Sequence, residues 1–506
     1  MGFGDDLRRD DVERMRRAAT VRGRQLVRRR RRTVVAMTAV AAAVVTTGVV
    51  TLVAVGPRSS APGTSTSHRT SHGSTPAPTP PPTVDAAAWA GHGNLAFVSG
   101  GELYVLDGAT ARLRQVTTGS PAPADPAFSV DGRWLAFARP SGTDGAAVLW
   151  LARGDGTGAH PVGGLPTVLA GANSAATAFS WSPTVDELVV TTGAVDAVPD
   201  VPRQVWLVPA GRAPRRLLGP GYSGGAVWSP DGRQVAVLWG AALADRVLET
   251  VPLAGGAPAV WLPADPSTTY YLAGWSAGYG LLVFVDQGNG GPSVENYGLP
   301  LAALARPGAA LSVLTKAPVF RPPALAVGAG GRVAVVSTVD DSAGGGEGAK
   351  FAWFGKTVET CTAPSLTCTA VDDTPGTVTL DPALSAVDGS LAYVAGQQLT
   401  LGLPPHYAPT ATWAEIAPWY DSRRLSIVGA GGGAPVTVAG SDGAADPVWS
   451  SHGSALVYVA HGGLWLLTDP SASPVEVASP LSPEGATDGR YLFGYADWSD
   501  QFAWSG

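Results

Sequence analysis

The sequence holds only two cysteines, Cys361 and Cys368, in 506 residues, which excludes both a cysteine-rich zinc site and a disulfide-dense scaffold. Lysine is scarce as well, three residues against 31 arginines, and charged residues make up only 15% of the chain. With 65 glycines and 43 prolines, long uninterrupted helices are excluded, and many short elements joined by tight turns are expected. Catalytic signatures are missing too. The seven histidines, His68, His72, His92, His160, His406, His452 and His461, form no HExxH and no zinc spacing with cysteine. "FGKT" at Phe354–Thr357 ends like a phosphate-binding loop, but Lys350 stands where that loop requires its first glycine, so a surface hairpin is expected there. "GYSGG" at Gly221–Gly225 matches the spelling of a nucleophile elbow, yet strand and turn follow it where a helix is needed, so Ser223 is not expected to be a nucleophile.

One long apolar run is present. Residues 33 to 55 carry no charge, and as a helix they would span roughly 34 Å against a hydrocarbon core of about 30 Å. Five arginines, Arg28 to Arg32, precede it. The positive-inside rule therefore predicts a single-pass helix over 33–56, an arginine-rich cytoplasmic tail over 1–32 and an extracytoplasmic remainder. A cleaved secretory signal is the competing reading, and the run is longer than the usual apolar core of about 7 to 15 residues. Residues 57–84 are rich in Pro, Ser and Thr and are expected to be a linker without a packed core.

From residue 85 onward one segment recurs. "VWSPDGRQVAVL" at Val227–Leu238 has worn copies starting at Ala88, Ala127, Phe179, Gly274, Leu325, Leu384 and Val448, spaced by about 40 to 64 residues. Its chemistry is that of a turn between two strands. Pro230 presets the first turn position, Asp231 tolerates the next, Gly232 accepts positive φ, and a β-branched strand follows. A second strand, turn and strand follow most copies, giving four strands per unit. An all-β propeller of seven or eight four-stranded blades over 85–506 is expected, eight being the better count. The closing stretch "YADWSDQFAWSG" again resembles the start of a copy, as expected where both chain ends complete one blade.

The "WSPDG" turn, most intact at Trp228–Gly232 and recognisable at Trp181–Pro183 and Asp131–Gly132, resembles the WD40-like repeats of the TolB family of extracytoplasmic propellers. The same motif occurs in propeller domains of prolyl oligopeptidase-like enzymes. The resemblance implies a scaffold for protein contacts in the cell envelope and carries no catalytic residue with it. The chain departs from the six blades of TolB propellers and lacks a recognisable separate N-terminal domain.

Cys361 and Cys368 are expected to form a structural disulfide across a hairpin turn. Asp131, Asp231 and Asp388 read as turn formers, as do His92 and His452 in their copies. Most tryptophans fall at equivalent repeat positions, where packing between blades accounts for them. Trp413 and Trp419, with Tyr420, fall instead in an insertion over 403–424, the place where a ligand contact is expected. No metal, cofactor or catalytic group is expected, and the acidic ectodomain argues against nucleic acid. The expected function is non-catalytic binding of an envelope protein, a peptide or a wall polymer. Two alternatives are a hydrolase or lyase acting on an extracellular substrate, and signal transfer through the cytoplasmic tail.

Overall fold

The computed structural model describes residues 80–506 except 120, 142–145, 170–178, 193–202, 241–244, 287–298, 316–324, 339–355, 373, 398–417, 419, 482–497 and 499. The expected tail, transmembrane helix and most of the linker lie outside the described residues. Among the described residues no helix is long and apolar enough to cross a membrane.

Thirty-two of the strands build eight antiparallel blades or bridge them, and the last strand of the chain joins the first blade. Blade 1 takes its inner strand from Phe502–Trp504 and continues through Asn94–Ser99, Glu102–Asp107 and Arg112–Gln115. Blade 2 runs from Ala124–Phe128 to His160–Pro161 and blade 3 from Phe179–Trp181 into the long strand Arg215–Trp228. That strand bends out of blade 3 to become the inner strand of blade 4, which ends at Ala259–Leu262. Blades 5, 6 and 7 open on Thr269–Ser276, Leu325–Val327 and Thr377–Leu384. Blade 8 opens on Ala445–Trp449 and ends at Val475–Ser479. The count is therefore eight.

The alternating strand of each copy explains how the blades stack. In blade 4, Val235 and Val237 point into a core shared with blade 3, while Ala236 and Leu238 point into a core shared with blade 5. Blade 2 does the same. Leu135 and Phe137 face blade 1, and Ala136 and Ala138 face blade 3. A strand whose two faces are both buried needs apolar residues at successive positions, which is what "VAVL" at 235–238 and "LAFA" at 135–138 supply.

Two expectations need correction at the N-terminal edge. The linker was expected to reach residue 84, but Thr83–Val84 is a fifth strand on the outer edge of blade 8, pairing Thr83 with Ser479 and Val84 with Ala478. The copy starting at Ala88 is no inner strand either. Ala86–Trp89 is a single helical turn, because the Asp85 carboxylate accepts the amides of Ala87 and Ala88 at 3.1 and 2.9 Å and caps it. The inner strand missing from that copy is supplied by Phe502–Trp504, in register with Leu95–Phe97.

Candidate functional site

The two ends of the ring are built differently. In an antiparallel blade the first and third turns lie at one end and the second turn, with the crossover to the next blade, at the other. None of the first and third turns within a continuous blade exceeds seven residues. Every longer connection, 116–123, 162–178 (with the short strand Val168–Leu169 inside it), 193–202, 287–300, 316–324, 339–355, 398–423 and 480–501, joins strand ends at the opposite end. The insertion singled out from sequence is among them.

The short-turn end is occupied with its own hydrogen bonding. The amides of Ser129, Ser182, Ser229, Ser385 and Ser450 each donate to a carbonyl five residues on, at 2.8–2.9 Å. Hydroxyls of Ser129, Ser229 and Ser450 accept the returning amide at 3.1, 3.0 and 3.2 Å. Asp131, Asp231 and Asp388 accept the amide two residues on at 3.0, 3.1 and 2.9 Å, the turn-forming role expected of them. The Ser229 hydroxyl and the Arg233 amide hold the Asp231 carboxyl below its ordinary range, and the Ser390 amide does the same for Asp388. Gly232 has φ 66°, the conformation that the third motif position was expected to need.

The motif tryptophans do more than fill space. Indole N–H groups of Trp181, Trp228 and Trp449 donate to carbonyls of Ala127, Ser180 and Ala383, each in the inner strand of the preceding blade, at 2.9, 3.0 and 3.1 Å. Trp275 departs from this pattern and meets the edge of Trp261 at 5.5 Å.

Toward the long-connection end the inner strands carry acidic side chains that the sequence reading did not single out, Asp381 and Asp446 buried and Asp125 half-buried. Asp125, Asp381 and Asp446 each stand four residues before the turn serine, each followed by proline, each with φ between 44° and 55°. Aspartate tolerates this left-handed backbone, and Gly225, with φ 110°, holds the equivalent place in blade 4. The Asp381 carboxylate accepts the Asp446 amide across the blade boundary at 3.3 Å, and Asp446 accepts the amide of Trp498. The recurring Asp-Pro pair ahead of "S" was the signal for this set.

Two buried cations stand at the starts of third strands in neighbouring blades, Lys356 as the first residue of Lys356–Thr362 and Arg423 immediately before Arg424–Val428. Lys356 is 2% exposed at the first position of Lys356–Thr362, so the surface hairpin expected for Phe354–Thr357 is not what forms at its described end. Burial pushes the Lys356 amine down to about 7. Arg423 is fully buried, with its guanidinium 4.3 Å from the centre of the Tyr420 ring. Tyr420 is itself buried in the core of blades 6, 7, 8 and 1, so of the three aromatics expected to contact ligand this one packs inward. Trp413 and Trp419 lie outside the described residues. Near the same corner, His461 Nδ1 lies 3.6 Å from an Asp421 carboxylate oxygen.

Cys361 and Cys368 are bonded, with their Cα atoms 4.2 Å apart. The pairing of Thr360 with Thr369 brings the two cysteines opposite each other across the turn, as expected. The bridged turn also touches blade 5, where the Tyr279 hydroxyl donates to the Ser365 carbonyl at 2.5 Å. Ser223 lies mid-strand opposite Trp239 with strand on both sides, so the strand-to-helix setting of a nucleophile elbow is missing there. Among the described residues no three His, Cys, Asp or Glu side chains are grouped to hold a metal.

No family model matches the sequence, and no curated protein matches it. Solved structures do resemble it. TolB from Acinetobacter baumannii is similar at 14% identity and a TM-score of 0.32, over 54% of this chain and 62% of that one. The β-propeller domain of the Trilobed protease from Pyrococcus furiosus is similar at 9% identity and a TM-score of 0.42, over 71% and 99%. Oligopeptidase B from Leishmania major is similar at 11% identity and a TM-score of 0.41, over 73% and 54%. The chain thus spans less than two thirds of that TolB and of that oligopeptidase. No residue role is carried over from any of them.

Proposed function

We propose that this is a single-pass membrane protein whose extracytoplasmic propeller binds an envelope protein, a peptide or a wall polymer and performs no chemistry on it. The observation that carries the reading is the division of labour between the ends of the ring. One end is closed by short turns whose polar groups bond to one another, and at the other end stand the strand ends between which every connection longer than seven residues runs, that holding most of the insertion 403–424 included. Rigid blades that present variable loops at one end are a general means of building a recognition surface. The apolar run over 33–55 with Arg28 to Arg32 before it supports the anchor, and a disulfide fits the oxidising side of a membrane.

The test is photo-crosslinking in native membranes, with the crosslinker placed in turn at residue 410 and at Val387 of a short turn. Crosslinks at 410 and none at Val387 are the expected result. Crosslinks confined to Val387, or a fractionated chain that behaves as a soluble secreted protein, refute the respective halves of the reading.

A second reading, a hydrolase or lyase, is favoured by one observation, the equivalent inner-strand carboxylates of Asp125, Asp381 and Asp446. Turnover of an extracellular substrate that Asp381→Asn abolishes while the protein stays folded would establish it. Signal transfer is the third: deleting residues 1–27 would then remove the response while ligand binding persists.

A further inference from the structure

The two ends of the ring-forming chain meet at the boundary of blades 8 and 1, and the chain crosses that boundary twice. The C-terminal crossing inserts Phe502–Trp504 as the inner strand of blade 1. Its tip continues toward blade 8, where the Ser451 amide donates to the Gly506 carbonyl. The second crossing is the N-terminal segment. Thr83–Val84 pairs with the outer strand of blade 8, and the Asp85 amide adds a bond to the Val477 carbonyl at 3.0 Å. The capped turn Ala86–Trp89 then carries the chain over to Asn94 in blade 1.

Trp89 sits at the middle of this crossing. It is fully buried, and it shares one core with Leu95 and Phe97 of blade 1 and Val457 and Leu466 of blade 8. Its ring centre lies 5.5 Å from that of Trp504, on the closing strand, and its indole N–H donates to the Gly93 carbonyl at 2.9 Å. One side chain from the N-terminal segment therefore packs on blade 8, blade 1 and the C-terminal strand together.

We infer that residues 83–93 are a latch on the seam between blades 8 and 1. Holding Thr83–Val84 on the edge of blade 8 keeps Trp89 seated, and the seated Trp89 keeps the closing strand Phe502–Trp504 in place. Whatever holds or pulls the chain upstream of Thr83 is thereby coupled to closure of the ring. A two-residue edge pairing is the weakest part of this train, because it is short and lies at the outer rim. Release begins there. The inference concerns residues 83–506 alone and stands whether or not the upstream segment crosses a membrane.

Amide hydrogen exchange on the full-length chain tests it, comparing the wild type with Thr83→Pro and Trp89→Ala. The Asp85 amide bonds to the Val477 carbonyl, so in this antiparallel register Thr83, opposite Ser479, also turns its amide toward blade 8, and Thr83→Pro removes that donor at an exposed position. That variant remains informative if Trp89→Ala fails to fold. The latch predicts that residues 502–505 and 95–97 exchange about tenfold or more faster in Thr83→Pro, while Gln234–Gly240 of blade 4 keeps its wild-type protection. Unchanged exchange at 502–505 in Thr83→Pro would overturn it, as would an equal rise in every blade, which would mark a general loss of stability.

Discussion

The Ser505 hydroxyl accepts the amide of Asn94 at 2.9 Å, and the Ser505 amide donates to the Asn94 carbonyl at 2.9 Å, across 411 positions of sequence. The same pair of bonds joins Ser229 to Gln234 within five residues, at 3.0 and 2.9 Å. The closing blade thus reproduces a repeat turn from two separate pieces of chain, with "WS" from the C-terminal end and the receiving strand from residue 94. The turn geometry belongs to the bonding pattern and does not need a continuous backbone.

Removing residues 502–506 should therefore cost far more than losing any one turn. The truncated chain loses an inner strand, the Trp504 contact with Trp89 and the Ser505 pair, and a fall of more than about 10 °C in Tm is expected if it folds at all. Ser229→Ala, which removes hydroxyl bonds from an intact turn, should cost about 1 kcal/mol. Thermal denaturation of both variants checks the contrast.

Trp228→Phe and Trp206→Phe separate the hydrogen-bonding role of tryptophan from its bulk. Both changes shrink a ring of the same kind, but the Trp228 indole serves the Ser180 carbonyl while that of Trp206 is buried with no acceptor among the described residues. Trp228→Phe is expected to lose about 1–3 kcal/mol from the orphaned carbonyl in addition to the packing loss. Trp206→Phe should cost less, since it also removes an unsatisfied buried donor. Urea unfolding midpoints compare the two directly.

The Cys361–Cys368 bridge closes a loop with a sequence separation of 7. Chain entropy assigns it about 2.5 kcal/mol. The Cys361→Ser/Cys368→Ser double variant, or the wild type in reductant, should lose about that much. The Tyr279 side chain of blade 5 is expected to lose order as well, because the bridged turn supplies the acceptor of its hydroxyl at Ser365.

Lys356 predicts a pH dependence. Its amine is ordinarily protonated up to 10.5, but burial lowers it to about 7 in the folded chain. Between those values the unfolded state binds more protons than the folded one, so this group makes stability rise with pH from about 7 to 10.5 and leaves it flat below. Lys356→Met should raise Tm at pH 7 and remove that rise. A Tm profile from pH 6 to 10 for both proteins measures it, and identical slopes would refute the assignment.

The repeat was legible because each copy spells the same local problem. A turn needs proline, aspartate and glycine in order, and a strand buried on both faces needs small apolar residues throughout, so the four-stranded units from blade 2 to blade 8 could be read one after another. The disulfide was legible for a related reason, two cysteines flanking one turn. At Trp89 the reading failed. Its neighbours spell the opening of a copy, and the Asp85 cap followed by three alanines, the local sign of a helical turn, competes with that spelling. Asp125, Asp381 and Asp446 were visible as Asp-Pro pairs, but the amides that Asp381 and Asp446 accept, those of Asp446 and Trp498, lie more than 50 residues further along the chain, and Tyr420 looked like an exposed insertion residue because nothing nearby in sequence shows what covers it.

Sequence alone determined the module: its turn chemistry, its alternating strand, its copy number to within one and its local cross-link. These depend on residues a few positions apart, where steric and hydrogen-bonding preferences act directly. Only the tertiary structure decided how the ring closes, which tryptophan carbonyl partners lie across a blade boundary, and which cations at the long-connection end are buried. Those are settled by contacts between segments as much as 412 residues apart, whose pairing depends on the packing of all eight blades together.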